Sequence, residues 1–277
     1  MKQFLKRFGT ILTLALLLMS TANPAVSGAA YEPDYTEEND VATADEGMVV
    51  SAHPLASETG YDVLAKGGNA MDAAIAMQYV LTVAEPMMSG IGGGGFMMVY
   101  EGETGETSIV NSRERAPGGA DSEMFLDDEG EALPFEERVR SGKSVGVPGT
   151  LRGLEEAHES WGTIDMAELI APAVSLAEEG FAIDDFLANQ IADNADKLQE
   201  TAASEVFFNE QGPLTEGDVL VQEDLAKTLS LIRDNGIDYF YNSEISEAAA
   251  NTVQEFGGSM TAEDLSNYEV TWDEPIW

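Results

Sequence analysis

The segment from Glu85 to Tyr100, E-P-M-M-S-G-I-G-G-G-G-F-M-M-V-Y, runs four consecutive glycines straight into an apolar, strand-like stretch. Glycine forgoes side-chain contacts and loses more backbone entropy on folding than any other residue. A run of it is kept where the backbone bends sharply or something approaches it closely. Gly90, Gly92 and Gly95 also satisfy the spacing G-x-G-x-x-G. A dinucleotide site needs a strand before those glycines and a helix after them, so that the helix N-terminus meets the pyrophosphate. Here a helical pattern precedes and a strand pattern follows, which argues against that site. No Gly-Lys-Ser/Thr directly follows the run, so these glycines do not make a P-loop.

The flanking sequence gives the glycines a context. Met48 to Ala52 reads as a short strand and Pro54 to Lys66 as a helix stopped by Gly67-Gly68. Asn69 with Asp72 three residues on is a capping-box variant opening an alanine-rich helix over Ala70 to Ala84, which can be buried nearly all round. After the glycines, Phe96 to Tyr100 and Thr107 to Ser112 read as a hairpin turning near Thr104-Gly105. Asp127 to Arg140 is polar and irregular, and Val147-Pro148-Gly149 leads into a helix ending near Trp161-Gly162. Four more helices are expected: Met166 to Glu179, Asp184 to Gln199, Gln222 to Asp234 and Ser243 to Phe256. Thr261 to Asp264 is a further capping-box start, and Tyr268 to Thr271 reads as a strand. The chain closes on Pro275-Ile276-Trp277 without a polar tail, the expectation being that it stops in mid-domain.

Residues 1 to 30 have a separate character. Lys2, Lys6 and Arg7 precede the apolar run Ile11 to Met19, and small residues follow through Ala30. That is the layout of a cleaved secretory signal, and the run is too short for a transmembrane helix to be the better reading. The expected location is therefore secreted or periplasmic, with no membrane insertion after cleavage. Tyr31 to Glu46 is acidic and poor in apolar residues, an expected linker, with the ordered domain spanning 47 to 277.

Charge limits the partners. The whole chain carries 51 acidic and 13 basic residues, a formal charge of −38. Without its first 30 residues it keeps 10 basic against 51 acidic, a charge of −41. Nucleic acid and anionic membrane surfaces are poor partners for such a surface. Self-repulsion of this size is relieved by salt, and it points to a protein from a saline habitat rather than a merely acidic one. With no cysteine, disulfides and thiol chemistry are excluded despite the export signal.

Candidate chemistry is sparse. His53 and His158 lie far apart without metal-ligand spacing and are read as structural, so no metal and no cofactor is expected. Asp127-Asp128 and Asp184-Asp185 are read as solvated surface, since such pairs arise by chance in a chain this acidic. No S-x-x-K is present, and no catalytic residue is assigned within the chain. Arg113 and Arg115, in N-S-R-E-R-A-P, would face one side of an extended backbone with Glu114 opposite. Read alone, they are either a surface ion pair worth little or a guanidinium fork gripping a substrate carboxylate.

Several segments together resemble the γ-glutamyltransferase family of the N-terminal-nucleophile hydrolase superfamily. They are G-M-V-V-S-A-H-P-L-A-S-E-T-G at 47 to 60, K-G-G-N-A-M-D-A-A-I-A at 66 to 76, E-P-M-M-S-G-I-G-G-G-G-F at 85 to 96 and R-E-R-A-P at 113 to 117. The series continues with G-V-P-G-T at 146 to 150, L-A-E-E-G-F at 176 to 181 and G-G-S-M-T-A-E-D-L-S-N-Y at 257 to 268. The resemblance implies an α+β fold, a four-layer αββα sandwich of which 47 to 277 is an incomplete large-subunit portion. It implies a precursor that cleaves itself before a threonine, which then heads a small subunit and carries the γ-glutamyl group as an ester. Its substrate would be a γ-glutamyl small molecule such as glutathione, its partner the small subunit from the same precursor. Neither threonine nor oxyanion hole would lie in this chain, which is therefore expected to be inert alone.

By position in R-E-x-A-P, the resemblance assigns Arg113 to the α-carboxylate of the γ-glutamyl group, Arg115 falling on the variable position. The glycine run then reads as a place where core layers approach closely. The alternatives are a secreted binding protein on the same scaffold that has lost its chemistry, and a related acylase or poly-γ-glutamate hydrolase.

Overall fold

The computed structural model describes residues 43–276. The expected signal at 1 to 30 and the linker as far as residue 42 lie outside the described residues.

Local signals set the first two helices. Helix α1, Pro54–Ala65, starts on a proline at its first turn, with the His53 ring nitrogen Nδ1 accepting from the Leu55 N–H at 3.2 Å. Its end is turned by Gly67, whose φ of 95° suits a residue without Cβ. Asn69 and Asp72 then form a full capping box opening α2, Ala70–Ala84. Small alanines let α2 bury almost every side, and α1 packs along it. Strand β1, Phe96–Glu101, turns through Gly105 (φ 76°) into β2, Glu106–Asn111. They pair antiparallel, Phe96 opposite Asn111 and Glu101 opposite Glu106.

The rest is mainly helical. After the short helix α3, Phe135–Val139, come α4, Thr150–Trp161, and α5, Met166–Glu179, which packs on α2 and is ended by Gly180 at φ 77°. Strand β3, Phe181–Ala182, leads into α6, Asp185–Asp193, α7, Ala195–Gln199, and α8, Ser204–Phe207. Two-residue strands β4, Phe208–Asn209, β5, Gly212–Pro213, and β6, Val219–Leu220, precede α9, Glu223–Asn235. The described chain ends with α10, Asp238–Tyr241, α11, Glu244–Glu255, α12, Ala262–Ser266, and β7, Thr271–Asp273.

Strand β7 adds to the free side of β2, giving a three-stranded antiparallel sheet in the order β1-β2-β7. Met97, Val99 and Val110 face inward onto the helical core, whereas Phe96, Met98 and Tyr100 alternate outward and are exposed. Trp272 of β7 lies 5.5 Å, centroid to centroid, from Trp161 at the end of α4, whose Nε1 donates to Glu101 at 2.8 Å.

Three expectations are corrected. Met48 to Ala52 is not a strand: no neighbouring strand pairs with it among the described residues, and Val50 is 84% exposed. The single helix expected over Asp184 to Gln199 is two, broken at Asn194, which leaves helical geometry at φ −110°, ψ 12° while its side-chain amide donates to Gln190 O at 2.9 Å. The strand expected at Tyr268 begins only at Thr271, because Tyr268 turns its ring into the core.

Candidate functional site

The candidate site is built on the chain leaving β2. Ser112 extends the ladder against Gly95, donating to its carbonyl at 2.9 Å and accepting from its N–H at 3.2 Å. Three residues on, Arg115 exchanges backbone hydrogen bonds with Val147 at 3.2 and 2.8 Å. The stretch Ser112 to Arg115 is thus held between the glycine run on one side and Gly146 to Gly149 on the other.

The glycines make that fit possible. A Cβ on Gly94 would stand 2.5 Å from Ser112 O and 2.7 Å from Glu114 N. One on Gly146 would meet Glu114 Cβ at 2.9 Å, and one on Gly153 would meet Ser112 Oγ at 2.5 Å. A side chain on Gly149 would collide with Ser112 O and the Tyr268 hydroxyl. Gly92 and Gly95, by contrast, face open space. Close approach therefore demands one member of the run, Gly94, and what approaches is the backbone beside Arg113. Gly93 also serves the next helix. Its carbonyl accepts from Gly149 N–H at 2.8 Å and Thr150 N–H at 3.0 Å, satisfying the start of α4, which has no side-chain cap.

Arg113 itself has a fixed backbone and a free side chain. Its N–H donates to Asn111 Oδ1 at 3.1 Å and its carbonyl accepts from the Tyr268 hydroxyl at 2.8 Å. The side chain is 67% exposed and touches one carboxylate, Glu114, at a loose 3.6 Å. Such a guanidinium retains donors for a planar, bidentate acceptor such as a carboxylate. Arg115 is committed elsewhere, its guanidinium carbon 5.5 Å from the centre of the Tyr268 ring. Glu114 is not set apart from Arg113 as alternation suggested; half-buried against Gly93 and Gly94, it reaches the guanidinium.

Tyr268 and its support escape a residue-by-residue reading of the sequence. The Tyr268 ring stacks on Tyr241, 6.3 Å away at 17°, and Tyr241 in turn lies under Arg152 at 4.4 Å. Burial pushes the Tyr268 hydroxyl above its ordinary pKa, Arg115 opposing and Glu114 adding to the shift. The one sequence signal that could have found Tyr268 is its place at the end of G-G-S-M-T-A-E-D-L-S-N-Y.

The histidines are structural. His53 caps α1, and burial lowers its pKa, with Asp184 pulling the other way. His158 places Nε2 2.7 Å from Ile164 O. Among the described residues no group of three or more His, Cys, Asp or Glu is arranged to hold a metal, and no helix is long and apolar enough to cross a membrane.

The described residues form an α+β fold with an arginine presented at a strand end beside a glycine-lined junction, and the solved structures that match it are N-terminal-nucleophile hydrolases, of which this is the large-subunit portion. The Gamma-glutamyltranspeptidase family model matches residues 56–277. The chain is 57% identical over 265 residues to a glutathione hydrolase proenzyme of Bacillus subtilis (strain 168), covering 95% of this chain and 45% of that protein. An acylase proenzyme of Pseudomonas sp. (strain SE83) is 40% identical over 249 residues, covering 88% of this chain and 44% of the acylase. Helicobacter pylori gamma-glutamyltranspeptidase superposes with a TM-score of 0.82 at 37% identity, covering 85% of this chain and 68% of that one. The chain belongs to the gamma-glutamyltranspeptidase family. It spans about half the length of the proenzymes it matches.

Proposed function

We propose that this chain supplies the large-subunit portion of an exported γ-glutamyltransferase or glutathione hydrolase, with Arg113 holding the α-carboxylate of the γ-glutamyl donor. The observation that carries this reading is the arrangement at Arg113: a backbone secured at both its N–H and its carbonyl, and a guanidinium left exposed beside a single loose carboxylate. The 57% identity to a glutathione hydrolase proenzyme supplies the donor class.

In the full-length protein, a threonine outside this chain attacks the γ-carbonyl carbon, the amide C–N bond breaks, and the leaving amine takes up a proton. Water or an acceptor amine then cleaves the resulting ester. Arg113 contributes orientation, because a bidentate grip on the α-carboxylate fixes the γ-carbonyl at the far end of the same small molecule. The partner is the small subunit of the same precursor, and the 277 residues expressed alone are inert.

Arg113→Lys in the full-length, processed protein tests the reading. A point charge cannot reproduce the fork, so kcat/KM toward a γ-glutamyl anilide falls by about 30-fold. An unchanged kcat/KM removes Arg113 from the site. Hydrolysis of the anilide by the isolated chain would overturn its proposed inertness.

A second reading, a related acylase, is favoured by the 40% identity to the Pseudomonas acylase proenzyme. Turnover of an acyl amide lacking an α-carboxylate, undiminished by Arg113→Lys, would select it. A binding protein without chemistry is the outcome if no threonine-headed small subunit is encoded downstream.

A further inference from the structure

Arg113 lies past the last residue of β2, so no strand ladder fixes its peptide groups. Two side chains do so instead. Asn111, on the same strand, takes the N–H, and Tyr268, 155 residues further on, gives its hydroxyl to the carbonyl at 2.8 Å. We propose that Tyr268 is a positioning residue for substrate recognition, setting the aim of the Arg113 guanidinium by clamping its carbonyl. The inference rests on the assignment of Arg113 to the donor carboxylate.

The hydroxyl is held from every side that could let it drift. Its residue is 4% exposed and its ring stacks on Tyr241. Tyr241 is itself anchored, donating to Pro148 O at 3.1 Å and accepting from Arg152 N–H at 3.3 Å. Arg152 lies over the Tyr241 ring and is tied to Glu155 and Asp238, each at 2.7 Å. Arg115 rests against the Tyr268 ring as well. The hydroxyl abuts Gly149, where any side chain would displace it. A tyrosine hydroxyl is protonated at neutral pH, and burial moves its pKa further up, so it is a donor there. A rigid aromatic pair, backed by an ion-paired arginine, thus ends on one carbonyl, that of the residue whose side chain must meet the substrate.

Tyr268→Phe keeps the ring and its stacking and deletes the clamp alone. In the full-length, processed protein acting on γ-glutamyl-p-nitroanilide, the donor KM rises about fivefold, the size of one lost hydrogen bond. Ground state and transition state share the α-carboxylate contact, so kcat stays within about twofold. The thermal midpoint stays within about 4 °C of the parent, separating aim from stability. In an Arg113→Lys background the same substitution changes KM by less than about twofold, because the fork it aims is gone.

An unchanged KM for Tyr268→Phe, or an equal loss in both backgrounds, overturns the positioning role. The two readings fail differently. If Arg113→Lys is silent, the assignment of Arg113 fails; if Arg113→Lys is costly and Tyr268→Phe is silent, only the role of Tyr268 fails.

Discussion

Asp72 holds Thr163 across 91 residues of chain, its carboxylate accepting from both the backbone N–H and the hydroxyl of that threonine. The same carboxylate takes Asn69 N–H at 2.9 Å and Ile164 N–H at 3.2 Å, with none of the residue exposed. One acidic side chain therefore serves as the second half of the α2 capping box and as the tie between α2 and the α4–α5 connection. Burial opposes its charge, but these hydrogen bonds outweigh that and hold its pKa below the ordinary value of 3.8.

Asp72→Asn replaces an acceptor with a donor at a place where every neighbour donates. The expected loss is about 3 kcal/mol of unfolding free energy at pH 7, read by urea denaturation. In the parent, the carboxylate's contribution is complete above the unfolded-state value and is lost as pH falls through the lower folded one. The difference between parent and variant therefore narrows in strongly acidic buffer. A difference that is constant with pH would remove the charge from the account.

Gly94→Ala and Gly95→Ala separate the two halves of the glycine question. At Gly94 the new methyl meets backbone atoms of Ser112 and Glu114, which cannot step aside, and about 2 kcal/mol is lost. At Gly95 nothing lies within 4 Å, and the change stays within about 0.5 kcal/mol. Equal midpoints in chemical denaturation would show that the run is not shaped by contact with the Arg113 segment.

Glu85 carries a pH dependence of the opposite sign to that of Asp72. It is buried at the end of α2, and burial, with Asp184 adding repulsion, raises its pKa above 4.5. Its contribution to stability is present below the unfolded-state value and lost as pH rises through the raised folded one. Glu85→Gln therefore raises the thermal midpoint at pH 8, and the gain disappears below about pH 4. His53 falls in a separate window: its lowered pKa makes the fold weaken as pH drops below 6.5. A Glu85→Gln gain that persists at pH 4 would point to packing and not to charge.

The acidic surface predicts a response to salt. With 51 acidic and 13 basic residues, the thermal midpoint rises between 0.1 M and 1 M NaCl, where the screening length falls from about 10 Å to about 3 Å. A midpoint no higher in molar NaCl than in dilute buffer defeats the saline-habitat reading.

What is legible in the sequence is whatever a few neighbouring residues decide. The Asn69–Asp72 box, the glycine stop at Gly67 and the turn at Gly105 each depend on local backbone chemistry and fall where expected. Resemblance singles out Arg113, whereas spacing leaves the two arginines equivalent. The contacts that distinguish them come from far away: Tyr268 faces the backbone of one and the guanidinium of the other. Tyr268 reads as a strand residue because Y-E-V-T has strand-forming side chains, and no local pattern marks a hydroxyl aimed 155 residues back along the chain. The glycine run is legible as a site of close approach. That Gly94 bears the tight contact while Gly92 and Gly95 stay clear depends on which face the neighbouring backbone reaches.

The contact between Trp161 and Trp272 also makes the protein its own reporter. One indole belongs to the helical core and the other to the last strand of the sheet, with a ring separation short enough for each to sense the other's surroundings. Lifting β7 away would change the emission of both indoles. Docking of that strand can therefore be followed by ultraviolet fluorescence, without attaching a dye and without needing a substrate.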